Sequence, residues 1–231
     1  MEHVLERAAH FRGQISSSQS ALYRRLASHG QQPKALMISC ADSRVVPELI
    51  TQAQPGDLFV CRNAGNIVPP FSQANGGVSS AVEYAVVALG VRDIVVCGHS
   101  DCGAMKAFNN PEALERMPNV AAWLRHAQAA HSVVCAAYHG LDDAHAARVL
   151  ALENVVVQIN HLRTHPSVAA ALARGDLTLH GWFFDIETGD ILALDGASGV
   201  FAVVEQNSPL PVALAAEPRI AAANLLPAAA E

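Results

Sequence analysis

Three short apolar runs, at residues 34–39, 58–62 and 93–97, are separated by stretches with turn or helical chemistry, and that alternation constrains the fold more than any other feature of the chain. Each run is nearly continuous in Ala, Val, Ile, Leu, Met, Phe and Cys, the pattern of a strand buried on both faces. Strands of that kind, alternating with helices, belong in a parallel sheet between helical layers. Between the first two, residues 46–50 read as a short helix and Gln54-Pro55-Gly56-Asp57 as the turn into the second strand. Residues 78–89 then repeat apolar side chains at helical spacing, and Gly90 supplies a stop before the third strand.

Residues 105–172 read as a long helical stretch, broken near Asn109-Asn110-Pro111, Tyr138-His139-Gly140 and His165-Pro166, whose middle part covers the sheet. Two late strands, residues 178–184 and 191–194, flank the turn Glu187-Thr188-Gly189-Asp190 and read as a hairpin. The expected architecture is therefore α/β, a mainly parallel sheet with one antiparallel edge strand, flanked by helices. An N-terminal helical arm over residues 1–30, broken at Ser16-Ser17-Ser18, precedes a core at residues 34–207. From Pro209 the chain is mostly Ala, Pro and Leu, and this tail, residues 208–231, is expected to lie against a partner subunit. No repeat or boundary divides the chain, so residues 1–231 are expected to form a single domain.

Composition narrows the function classes. With 51% hydrophobic and 16% charged residues, the 231-residue chain can bury a substantial core. Its 15 Lys and Arg are scattered and outweighed by 21 Asp and Glu, which argues against nucleic acid as a partner. No apolar run is long enough to span a bilayer, and the acids in Met1-Glu2-His3-Val4-Leu5-Glu6-Arg7 do not suit a secretory signal, so a cytoplasmic location is expected. Five cysteines, an odd number without an export signal, fit reduced thiols better than a disulfide framework.

Chemistry gathers where two strands end. Cys40 closes the first strand within Cys40-Ala41-Asp42-Ser43-Arg44, and His99-Ser100-Asp101-Cys102 follows the third. In an open α/β sheet ligands bind beyond the carboxyl ends of the strands, so these segments converge. Two thiolates and an imidazole are three ligands of a zinc site, and a fourth, open position separates a catalytic zinc from a structural one. Asp42 can complete the coordination itself or turn to Arg44, whose guanidinium matches a carboxylate and holds it off the metal. In the first case the site is a closed structural one; in the second Asp42 orients a zinc-bound water and accepts its proton. Two thiolates also make that water harder to ionise than three imidazoles would, so activity should rise toward alkaline pH.

Cys40-Ala41-Asp42-Ser43-Arg44 with Gly98-His99-Ser100-Asp101-Cys102-Gly103 resembles the zinc signature of the β-class carbonic anhydrases. The similarity extends to Pro55-Gly56-Asp57-Leu58-Phe59-Val60, Arg62-Asn63-Ala64-Gly65-Asn66, Glu83-Tyr84-Ala85 and His180-Gly181-Trp182. Asn63-Ala64-Gly65-Asn66-Ile67-Val68-Pro69 and Thr164-His165-Pro166-Ser167-Val168 are similar to segments of the bacterial enzymes found beside cyanase. The resemblance implies one zinc ion per subunit and reversible hydration of carbon dioxide to bicarbonate and a proton by attack of zinc-bound hydroxide. A hydrolase of carbon disulfide or carbonyl sulfide on the same scaffold is the alternative reaction. It implies, too, a dimer or tetramer whose cleft forms between subunits, with Gln31, Phe59 and Tyr84 matching the substrate pocket. A subset of the family carries a regulatory bicarbonate pocket built with a tryptophan, an arginine and a tyrosine. Met37, Arg62 and Phe184 stand at those positions, so the chain resembles the plant-type group and cooperative bicarbonate inhibition is not expected.

Several other residues carry plainer readings. Cys61 and Cys97 lie within apolar strands and Cys135 in a helix, where inert burial is the default. Phe59 and Tyr84 would ordinarily be core aromatics and Gln31 a solvated turn residue. His10, His126, His131, His145 and His161 are expected at exposed or capping helical positions, and His180 in a structural hydrogen bond.

Overall fold

The computed structural model describes residues 2–15, 17–72, 76–207, 209 and 211–214. Most of the expected tail, and Ser16 in the expected break, lie outside the described residues. The arm consists of α1 (Glu2–Gln14) and α2 (Ser17–His29), parted at Ile15. The order continues β1 (Ala35–Cys40), α3 (Pro47–Ile50), β2 (Leu58–Asn63), α4 (Gly77–Glu83) and β3 (Asp93–His99). The helical stretch then holds α5 (Gly103–Lys106), α6 (Pro111–Glu115), α7 (Pro118–Leu124), α8 (Gln128–Ala137), α9 (Asp143–Thr164) and α10 (Pro166–Arg174), and β4 (Thr178–Phe184), β5 (Ile191–Leu194) and β6 (Phe201–Val203) complete the sheet.

The strands lie in the order β2-β1-β3-β4-β5-β6. The first four are parallel, while β5 pairs antiparallel with β4 and β6 antiparallel with β5. The expected antiparallel edge is present, and β6 extends it by a strand too short to leave a clear sequence pattern. From β1 the chain turns outward to β2, then crosses to the other side of β1 to make β3. The crevice at the carboxyl ends of β1 and β3 is therefore the topological switch point, where open α/β sheets bind ligands.

Burial follows the pleat. Leu36, Ile38, Ile94, Val96 and Leu179 join Val155, Ile159 and Leu162 of α9 and Val168 and Leu172 of α10 in one core cluster. Met37, Val95 and Cys97 point to the opposite face, in a smaller cluster with Trp182 and Phe184. Helix α9 lies close over the sheet because two glycines admit it: a Cβ on Gly98 would sit 2.9 Å from Val155, and one on Gly181 2.9 Å from Ile159.

The breaks in the helical stretch have local causes. Asn110 caps α6 by accepting the Ala113 N–H at 3.1 Å, Asp142 caps α9 through the His145 N–H at 2.8 Å, and Pro166 opens α10. A further break at Met117, before Pro118 of α7, was not expected. The helix anticipated at 78–89 is α4 followed by a wider turn of π type, Tyr84–Ala88, with Gly90 beyond it at a φ of 64°.

Candidate metal centre

Cys40 ends β1, His99 ends β3 and Cys102 stands immediately before α5, and the topology brings the three together. The two sulfurs and an imidazole nitrogen all lie within 4.8 Å of one another, and all three residues are buried. His99 donates from Nδ1 to the Ser100 carbonyl at 2.8 Å, which fixes the ring and leaves Nε2 as the lone-pair atom. That Nε2 is buried without a hydrogen-bond partner. A buried nitrogen with no partner costs stability unless something fills the place, and beside two thiols the fitting occupant is a thiophilic cation such as zinc.

The thiols share one another's charge. The Cys102 side chain, the strongest influence, brings Cys40 down to about 4 against the opposing effect of burial, with His99 and the Gly65 N–H helping. Cys102 is pushed up by its hydrogen bond to Cys40 and by burial. The pair thus gives up one proton readily and holds the second against the first negative charge, and a dication takes that proton's place.

Asp42 takes the second of its two expected orientations. Arg44 donates from Nε to Oδ1 at 3.0 Å and from Nη2 to Oδ2 at 2.9 Å, and its backbone N–H also reaches Oδ1 at 3.0 Å. This fork holds the Asp42 carboxyl well below the usual carboxylate range. Asp42 is not among the three residues that form the metal group. Arg44 is itself braced by Asp101, which accepts from Nη1 at 2.7 Å, and Asp101 is in turn paired with Lys106. Asp101 has a φ of 59°, a bend that carries the chain from His99 back to Cys102.

Sequence reasoning did not foresee how several residues act on the backbone of the site, Arg62 among them, which it had set only at the regulatory-pocket position. Arg62 reaches from β2 to donate to the Cys40 carbonyl at 3.0 Å and the Asp42 carbonyl at 2.7 Å, so it secures the first metal segment. Asn154 and Gln158, both fully buried on α9, hold the loop after β2: Asn154 donates to the Gly65 carbonyl at 2.9 Å, and Gln158 accepts from the Val68 N–H at 2.8 Å. His161 adds a bond to the Val68 carbonyl at 2.8 Å and so is not the exposed helical histidine expected. The available sequence signal was an Asn and a Gln one helical turn apart in an apolar helix.

The three residues expected in the substrate pocket lie elsewhere. Phe59 and Tyr84 meet with ring centroids 5.8 Å apart, and Tyr84 is 50% exposed rather than a core residue. Phe59 pairs in register with Leu36, whereas Asn63 pairs with Cys40, so Phe59 is four strand residues, about 13 Å, from the level of the metal group. Gln31 is exposed and precedes β1, at the end of that strand opposite Cys40. Among the other cysteines, Cys97 is buried and pushed up to about 12 by burial, and Cys61 is half-buried. Cys135 departs from expectation: it is exposed on α8, its Sγ 3.6 Å from His131 Nε2, because helical spacing alone does not say which side of a helix faces out. His180 makes a structural pair, with Nε2 2.8 Å from Asp93 Oδ1.

The family model described as carbonic anhydrase matches residues 35–191. A carbonic anhydrase of Pseudomonas aeruginosa is 52% identical over 90% of this chain and 93% of its own. Among solved structures, the β-carbonic anhydrase CcaA superposes with a TM-score of 0.86 at 44% identity, covering 93% of this chain and 95% of that one. One of two tetrameric β-carbonic anhydrases from Sordaria macrospora superposes with a TM-score of 0.71 at 29% identity, over 87% of this chain and 98% of its own. With its metal group at the switch point of the same sheet, the chain belongs to the carbonic anhydrase family, in its β class.

Proposed function

We propose that the protein converts carbon dioxide and water to bicarbonate and a proton at one zinc ion per chain, held by Cys40, His99 and Cys102. The observation that carries this reading is the two-pronged grip of Arg44 on Asp42, which turns the only nearby carboxylate of the first segment away from the metal group. A closed structural site would need that carboxylate as its fourth ligand.

Bound there, zinc would supply a Lewis acid that makes water nucleophilic, increasingly so toward alkaline pH. Asp42 stays ionised and offers a fixed acceptor, which orients the attacking O–H group and receives its hydrogen bond. Arg44, Asp101 and Lys106 keep that acceptor in place. Arg62 keeps the Cys40 and Asp42 backbone from shifting. Because the Arg62 guanidinium is committed to those carbonyls, and Met37 and Phe184 lack polar ends, simple rather than sigmoidal bicarbonate inhibition follows.

Gln31, Phe59 and Tyr84 stand too far along the strands to serve the metal group of their own chain, so we assign them to the site of a second copy. A small neutral substrate requires an apolar wall and one polar group, which this trio supplies. Tyr84 and the 70% exposed Val87 supply an apolar face for that pairing. The minimum unit is then a dimer, with a tetramer as in the Sordaria relative an allowed assembly. All 231 residues serve one catalytic domain. Free thiols and the absence, among the described residues, of a helix long and apolar enough to cross a membrane fit a role in the cytoplasm.

Labelled-oxygen exchange between bicarbonate and water tests this function. The zinc-loaded protein should accelerate the exchange, and sulfonamides and small anions should block it. A zinc-loaded protein that leaves exchange at the buffer rate, or that turns over carbonyl sulfide or carbon disulfide instead, would overturn it.

A further inference from the structure

The Gly65 N–H points at the Cys40 sulfur, 3.4 Å away, and the peptide unit that carries it is gripped at its other end. That unit runs from the Ala64 carbonyl to the Gly65 nitrogen, and the Ala64 oxygen accepts the indole N–H of Trp123 at 2.9 Å. In a trans peptide the C=O and N–H point in opposite directions, so a donor at the oxygen both aims the N–H and strengthens it. The next peptide is held as well, through the bond from Asn154 to the Gly65 carbonyl, and Gln158 holds Asn154 by donating to its Oδ1 at 2.7 Å. Gly65 has a φ of 80°, and a Cβ there would lie 3.1 Å from both Ala104 and Met105, so the approach to the sulfur requires glycine.

We infer that Trp123 is a positioning residue for the metal centre, acting through the Ala64–Gly65 peptide to hold a hydrogen bond on the Cys40 thiolate and so to limit how much charge that sulfur gives the metal. Trp123 touches neither substrate nor metal ligand, and its reach is through one peptide unit. The side chain is anchored for this work: it packs against the large core cluster under α9 and against another that holds Cys40, Cys102 and Met105, and its ring meets His126 edge-on at 5.6 Å. The Asn154 and Gln158 amides keep the loop from rotating if the indole bond loosens, so the N–H direction is fixed from two sides. Removing the indole N–H while keeping its shape should leave the fold intact and the sulfur a stronger donor.

This inference rests on the zinc reading of the site, and its test separates the two. Cobalt(II) is loaded into the intact protein, where a sulfur-to-cobalt charge-transfer band at one equivalent reports the Cys-His-Cys centre; no such band would overturn the zinc reading itself. Trp123 is then replaced by a benzothienyl analogue of the same shape with sulfur in place of N–H, alongside Trp123→Phe. The band should move to lower energy in both. An unmoved band in the correctly folded benzothienyl protein would overturn the role of Trp123. Should both variants fail to fold, the unaltered protein still decides the sulfur contact, because cadmium loaded at the site should show scalar coupling to the Gly65 amide proton across the N–H···S bond. No coupling would overturn it.

Discussion

At the residue scale, the chemistry lies in a few side chains whose orientation is set by their neighbours. Asp42→Asn keeps the shape of the site but not the charged acceptor, so carbon dioxide hydration should fall on the order of a hundredfold in kcat/KM with zinc content unchanged, as read by stopped-flow and metal analysis. Equal loss of zinc and activity would instead place Asp42 on the metal. Cys40, His99 and Cys102 were legible in the sequence because they stand in short segments at the ends of two strands that lie side by side in the sheet, and Asp42 with Arg44 because they are two residues apart. Arg62 and Trp123 were not, because they act on backbone carbonyls of Cys40, Asp42 and Ala64, and a carbonyl leaves no mark on the residue that carries it. The exposure of Cys135 was misread for a related reason: a helical period says that faces exist, not which one is wet.

At the scale of elements, the sheet was legible from its continuous apolar runs, and the helix boundaries from Pro, Gly and Asn. The short α6 and α7 and the three-residue β6 were not, since a helix of one or two turns or a three-residue edge carries too little periodicity to read. What seats the long helix is the absence of side chains at Gly98 and Gly181. Gly98→Ala drives a Cβ toward the Val155 methyl and the Ala151 carbonyl, the latter 3.2 Å away, and should destabilise the protein by about 1–3 kcal/mol in urea unfolding. Unchanged stability would mean that α9 moves freely over the sheet. A second tie between α9 and the sheet is Arg148, which donates from Nη1 to Asp185 at 2.5 Å and lies over the Phe183 ring, 4.8 Å from its centre. The Arg148 hydrogen bond holds the Asp185 carboxyl below the usual range. A carboxyl lowered on folding stabilises above its unfolded value, near 4, and loses that contribution as pH falls through its folded value. Asp185→Asn should therefore cost about 1 kcal/mol at pH 7, and its gap to the unaltered protein should close as pH falls below about 4, as followed by denaturant titration. A gap independent of pH would show that the ion pair does not drive it.

For the whole molecule, one chain holds the metal group at the carboxyl ends of its strands and Gln31 and Phe59 toward the amino ends, and the proposed dimer would bring the two together. Val87→Glu places a charge on the exposed face beside Tyr84 and should yield monomers in sedimentation that still bind zinc but hydrate carbon dioxide at least about tenfold more slowly, since an unpaired charge is poorly tolerated in an interface. Active monomers would sink the shared site. The central claim is that Cys40, His99 and Cys102 hold a zinc with an open, working position, and stopped-flow hydration against zinc content tests it most directly. Turnover should rise in proportion to bound zinc, level off at one zinc per chain and vanish on chelation. One tightly bound zinc per chain with hydration no faster than the buffer alone would contradict the account.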